Sequence, residues 1–103
     1  MVPPEVPRTL TVSRAAVDPA AEREYLQLLG ELARLSETRG RRLWVFRAAG
    51  SPGRFLECSE RRSPEEHRAA GPLDADEARL EQRVRELAVY DDGAGELWEE
   101  VRV

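Results

Sequence analysis

Two side chains in this sequence join a titratable group to a setting that could use it, His67 and Glu57. His67 is the chain's only histidine. A neutral imidazole beside a pocket can remove a proton from a phenol or quinol and leave it open to oxidation. The same residue also reads as a surface or helix-end histidine bonded to backbone. Glu57 stands in the strand-like run RFLECSE, residues 54–60, next to Phe55. Apolar surroundings disfavour the charged form of a carboxylate and suit it to general-base work. An ion pair with Arg14 or Arg47 would satisfy it instead. Trp44, Phe46 and Phe55 are expected to share one sheet face, as a ligand pocket that stacks on a flat molecule or as interface core. Cys58 is expected to face the helices as an inert buried thiol.

Absences narrow the chemistry further. The chain has no Lys, Asn or Ile, and all sixteen basic residues are Arg. Schiff-base and P-loop lysine chemistry are therefore excluded. One Cys and one His make neither an intrachain disulfide nor a common zinc set, so no metal and no cofactor is expected. Twenty acidic residues leave a net charge of −4, which argues against a nucleic-acid or anionic-membrane binder. The pairs Arg41-Arg42 and Arg61-Arg62 read as solvated or ion-paired, because the 54–60 run lacks the pattern of an RNA-recognition strand. No apolar run reaches the length of a membrane span, and no signal peptide opens the chain, so a cytoplasmic protein without membrane insertion is expected.

The elements that must position these residues follow from periodicity. Residues 1–7 hold three prolines and read as a mobile arm; residues 8–103 read as one domain. Alternation predicts a strand over 8–17, with Leu10 and Val12 on one face and Thr9, Thr11 and Ser13 on the other. Asp18-Pro19 caps a helix whose apolar stripe is Tyr25, Leu28, Leu29, Leu32 and Leu35, stopped by Gly40. Strands over 42–48 and 54–60 flank a Gly- and Pro-rich hairpin. A short helix starts at Ser63-Pro64 and ends near Gly71-Pro72. A longer helix capped by Asp74 carries Leu80, Val84, Leu87 and Ala88. A turn at 91–95 precedes a last strand over 96–103. The order β-α-β-β-α-α-β is a ferredoxin-like α+β fold, a four-stranded antiparallel sheet with helices on one face. Helices on one side leave the aromatic face wet at about 1.5–3 kcal/mol per large side chain, which points to a homodimer burying the two faces together.

A group of residues carries a family likeness. Val17-Asp18-Pro19-Ala20, the helix through Leu35, Arg39-Gly40, Trp44-Val45-Phe46-Arg47, Pro52-Gly53-Arg54-Phe55, Glu66-His67-Arg68 and Glu81-Gln82-Arg83-Val84-Arg85 together resemble the dimeric α+β barrel superfamily. Within it they are most similar to antibiotic biosynthesis monooxygenase-like domains, notably the soluble C-terminal domain of bacterial secretion-effector transporters of the major facilitator type. The likeness implies a homodimeric barrel with a pocket for a small apolar or aromatic metabolite. It also implies cofactor-independent oxygenation, with His67 or Glu57 as base, or else a non-catalytic dimerisation or ligand-sensing module. Haem degradation, which in this superfamily needs an asparagine, is not implied.

Overall fold

The computed structural model describes residues 7–61 and 75–103. The proposed arm, apart from Pro7, the Ser63–Gly71 helix, the Asp74 cap and His67 all lie outside the described residues.

β1 spans Thr9–Val17, α1 Glu22–Glu37, β2 Arg42–Arg47, β3 Arg54–Arg61, α2 Ala75–Leu87, β4 Ala88–Tyr90 and β5 Glu96–Glu99. The strands are antiparallel in the order β2-β3-β1-β4, with β5 also on β1. This is the expected α+β, ferredoxin-like arrangement. β4 and β5 share one edge of β1, β4 beside Ala15–Val17 and β5 beside Thr9–Val12. Residues 91–95 join them, anchored where the Asp91 N–H reaches the Arg14 carbonyl at 3.1 Å and the Gly95 N–H the Val12 carbonyl at 3.2 Å.

α1 begins as its sequence dictates. Asp18 Oδ1 accepts from the Ala20 N–H at 2.8 Å, and Pro19 opens a single 3-10 turn that leads into the helix. Tyr25, Leu29 and Leu32 are its buried stripe and meet the sheet. Leu28 and Leu35 turn instead toward α2, where they line an outer groove with Leu80. Two departures from expectation concern the C-terminal third. α2 stops at Leu87, and Ala88, which continues the helical spacing from Val84, is the first residue of β4. Its period has become two: Ala88 and Tyr90 point inward while Val89 is exposed. The free edge of β1 supplies the hydrogen-bond partners that hold this three-residue strand. The last strand ends at Glu99 rather than Val103.

Register decides which residues face the helices. β2 and β3 pair Trp44 with Cys58, Phe46 with Leu56, Val45 with Glu57 and Arg47 with Phe55. Directly paired residues share a face. Leu43, Val45, Phe55 and Glu57 therefore lie under the helices, while Trp44, Phe46, Leu56 and Cys58 lie on the open face. This corrects the expected grouping: Phe55 does not share a face with Trp44 and Phe46, and Cys58 does not face the helices. A slip of one residue in β3 relative to the expected register accounts for both reversals. Trp44, Phe46, Val89 and Trp98 remain 36%, 55%, 73% and 53% exposed, and all lie on the open face.

Gly53 fixes the hairpin against β1. Its carbonyl accepts from the Val17 N–H at 2.7 Å, its φ is +77°, and a Cβ there would stand 2.5 Å from the Val17 carbonyl oxygen. Gly50 has the same φ but open space around it. Gly50→Ala is expected to cost about 1–2 kcal/mol from the left-handed backbone alone. Gly53→Ala adds the backbone clash and should exceed that, lowering Tm further by about 4–8 °C per additional kcal/mol in thermal unfolding.

Candidate functional site

The helix-facing side of the sheet is not uniformly apolar. In β1 it carries Thr9, Thr11 and Ser13, and in β3 Glu57 and Ser59. Small hydroxyl residues there leave room beneath the helices, and a cavity of about 380 Å³ opens between the sheet, α1 and α2. That volume falls in the ~300–1,000 Å³ range of small-molecule sites. Leu29, Leu32, Leu43 and Val84 supply its apolar wall.

Glu57 lines this cavity and accepts two side-chain hydrogen bonds. Tyr25, in the first turn of α1, donates its hydroxyl to Glu57 Oε2 at 2.6 Å. Tyr90, at the end of β4, donates to the same oxygen at 2.7 Å. Both lone-pair positions of Oε2 are thus used, and Oε1 has no donor among the described residues. Tyr25 is fully buried and tilted against Phe55, ring centroids 5.0 Å apart, which holds its hydroxyl on the carboxylate. Neither expected ion-pair partner is present: Arg14 is on the open face, and Arg47 pairs with Glu22 while stacking over Phe55.

Burial pushes the Tyr25 phenol far above its ordinary range, reinforced by the hydrogen bond to Glu57 and its charge. Tyr90 is raised likewise, first by burial and then by the charge and hydrogen bond of Glu57. The two phenols therefore stay protonated as donors, and the carboxylate is the acceptor. They are also the only tyrosines in the chain. A folded-state phenol raised above its unfolded value stabilises the fold below about pH 10, and that contribution is lost as pH climbs past it. In an alkaline titration followed by phenolate absorbance, no tyrosine should ionise before the protein unfolds. A phenolate signal near pH 10 from folded protein would show that the hydrogen bonds are not made.

The remaining sequence candidates are dispersed. Trp44 lines a surface depression of about 330 Å³ with Leu10 and Trp98. Phe46 borders another at the Arg14 and Arg54 end, one that Phe55 also touches. The ring of Phe55 packs in the core, 4% exposed. Cys58 is buried at 6% exposure on the open side, its thiol pushed up by burial and by the charge of Glu57. His67 lies outside the described residues. Sequence reasoning overlooked Tyr25 and Tyr90. The available signal was that a tyrosine in an otherwise leucine stripe needs a hydroxyl partner, and that a strand carboxylate needs donors.

Among the described residues no group of three or more His, Cys, Asp or Glu side chains could hold a metal ion, and no helix is long and apolar enough to cross a membrane. No protein-family model matches the chain, and no curated protein matches it. Solved structures do match. SnoaB, described as a cofactor-independent oxygenase from Streptomyces nogalater, superposes with a TM-score of 0.72 at 14% identity over 94% of this chain and 96% of its own. A Chloroflexus aurantiacus protein provisionally assigned as an antibiotic biosynthesis monooxygenase gives 0.68 at 21% identity, covering 93% of each chain. The fold is that of the antibiotic biosynthesis monooxygenases. A conserved Bacteroides thetaiotaomicron protein of unknown function, provisionally placed among oxidoreductases, shares this fold at a TM-score of 0.73 and 20% identity, over 94% of this chain and all of its own.

Proposed function

We propose that this protein binds a small aromatic molecule in the cavity under its helices and, as a cofactor-independent monooxygenase-like enzyme, oxidises it with dioxygen. The observation that carries the reading is Glu57, a carboxylate fixed at one oxygen by two tyrosine hydroxyls and open at the other in a cavity of ligand size. Such a group accepts a proton from an activated C–H or O–H of the ligand. The resulting electron-rich anion reduces dioxygen. With anthrone as probe, the ring methylene and one O2 become a carbonyl and one water, the second oxygen atom leaving as that water. The neighbour described as a cofactor-independent oxygenase supports this class of chemistry on the same fold.

The open face supports a homodimer. Trp44, Phe46, Val89 and Trp98 form an exposed apolar surface on a sheet whose other side is already covered. Both tryptophans sit on it, so dimer dissociation should red-shift and weaken their fluorescence together. A non-catalytic dimerisation or ligand-sensing module is the second reading, favoured by the same surface.

The test is dioxygen uptake by the purified, chelator-treated protein with anthrone, corrected for uncatalysed oxidation. Uptake matched mole for mole by anthraquinone supports the oxygenase. Saturable binding with no uptake above background supports the sensing module instead.

A further inference from the structure

The described lining of the cavity carries an excess of negative charge. Its charged residues are Glu57 from the sheet and Glu77, Glu81 and Arg85 from α2. Spacing by four residues sets the last three along one stripe of that helix. Glu77 is paired with Arg39, which follows α1, and that pair joins the two helices at one end of the cavity. The two phenols on Glu57 are neutral and bring no countercharge. Neither Glu57 nor Glu81 is in an ion pair with a described residue. Glu57, Glu81, Arg85 and Tyr90 line this same cavity. The Tyr90 phenol is raised by burial and by Glu57, lowered by the charge of Arg85 and raised to a smaller extent by that of Glu81. Arg85 is the only cation in the described lining, and it is exposed to solvent. Among the described residues, two carboxylates facing a single guanidinium make the lining net anionic.

A carboxylated ligand would add a third like charge in a low-dielectric space, and a neutral one would leave the imbalance standing. We propose that the cavity selects an aromatic ligand bearing one positive charge, an amine protonated at neutral pH, and that Glu81 is the residue that selects it. This rests on the cavity being the ligand site. The ring lies against Leu29, Leu32, Leu43 and Val84, the ammonium is held by Glu81, and Glu57 keeps its role as proton acceptor.

Three probes with one ring system separate the charge from the shape: 2-naphthylmethylammonium, 2-naphthalenemethanol and 2-naphthoate, titrated calorimetrically into the full chain. The ammonium should bind about tenfold tighter than the alcohol, and the carboxylate about tenfold weaker than the alcohol. Glu81→Gln should shrink the ammonium-to-alcohol ratio by about fivefold or more. Glu31→Gln, the same charge change on the exposed side of α1, should leave that ratio as it is. Equal binding of 2-naphthoate and the ammonium, or a ratio unmoved by Glu81→Gln, would overturn the charge selection while leaving the cavity as ligand site. Failure of all three probes to saturate would overturn both.

Discussion

Glu57→Gln is expected to slow anthrone-dependent dioxygen uptake by about 100-fold or more, the loss that removal of a general base brings. The substitution keeps the shape of the side chain, and its carbonyl oxygen can still accept from a tyrosine hydroxyl. What it removes is the capacity to take a proton through the oxygen that Tyr25 and Tyr90 leave open. The effect should therefore appear in kcat and much less in Tm. A rate electrode and a thermal melt on the same preparation check both halves. Uptake retained in Glu57→Gln but abolished in His67→Ala would move the base to His67.

Tyr25→Ala is expected to be the most damaging core substitution, at about 3–5 kcal/mol, the range for removing a large buried ring. Tyr25 has no exposed surface, packs on Phe55 and sits among Leu29 and Leu32 in the same core. Its loss would leave a void and strip one donor from Glu57. Tyr25→Phe keeps the ring and removes only the hydrogen bond to a charged acceptor, about 1.5–3 kcal/mol. Urea unfolding of the two variants separates packing from hydrogen bonding. Equal destabilisation by Phe and Ala would mean that the ring contributes nothing beyond its hydroxyl.

Local rules explain what could be read from the chain and what could not. The Asp18-Pro19 cap, which opens a 3-10 turn into α1, the Tyr25, Leu29 and Leu32 part of the expected stripe, and the glycine turn of the hairpin each depend on residues within one or two turns, and these stand as expected. The split between Leu43 and Val45 inward and Trp44 and Phe46 outward is equally local, a matter of alternation along one strand. The facing of β3 is not. It depends on how many residues the hairpin spends between Arg47 and Phe55, and the odd number, seven, sets Phe55 and Glu57 under the helices. β4 was hidden for a different reason. Ala88 lies four residues after Val84 and continues the helical pattern, so only the unfilled edge of β1 reveals that the chain has become a strand. The partners of Glu57 were hidden too, since Tyr25 and Tyr90 are 32 and 33 residues away from it along the chain and meet only in the folded sheet-and-helix sandwich. Glu57 could be singled out from the sequence; the face it lies on could not.

The central claim is that the ligand sits under the helices at Glu57 and not on the open aromatic face. Anaerobic calorimetric titration with 2-naphthol tests it most directly in three proteins: wild type, Ser59→Leu and Trp44→Leu. Ser59 lines the cavity, so a leucine there should fill it and abolish binding, while Trp44 is on the other side of the sheet and its loss should leave one bound molecule per chain. Binding that survives in Ser59→Leu and disappears in Trp44→Leu would contradict the claim and put the site on the open face.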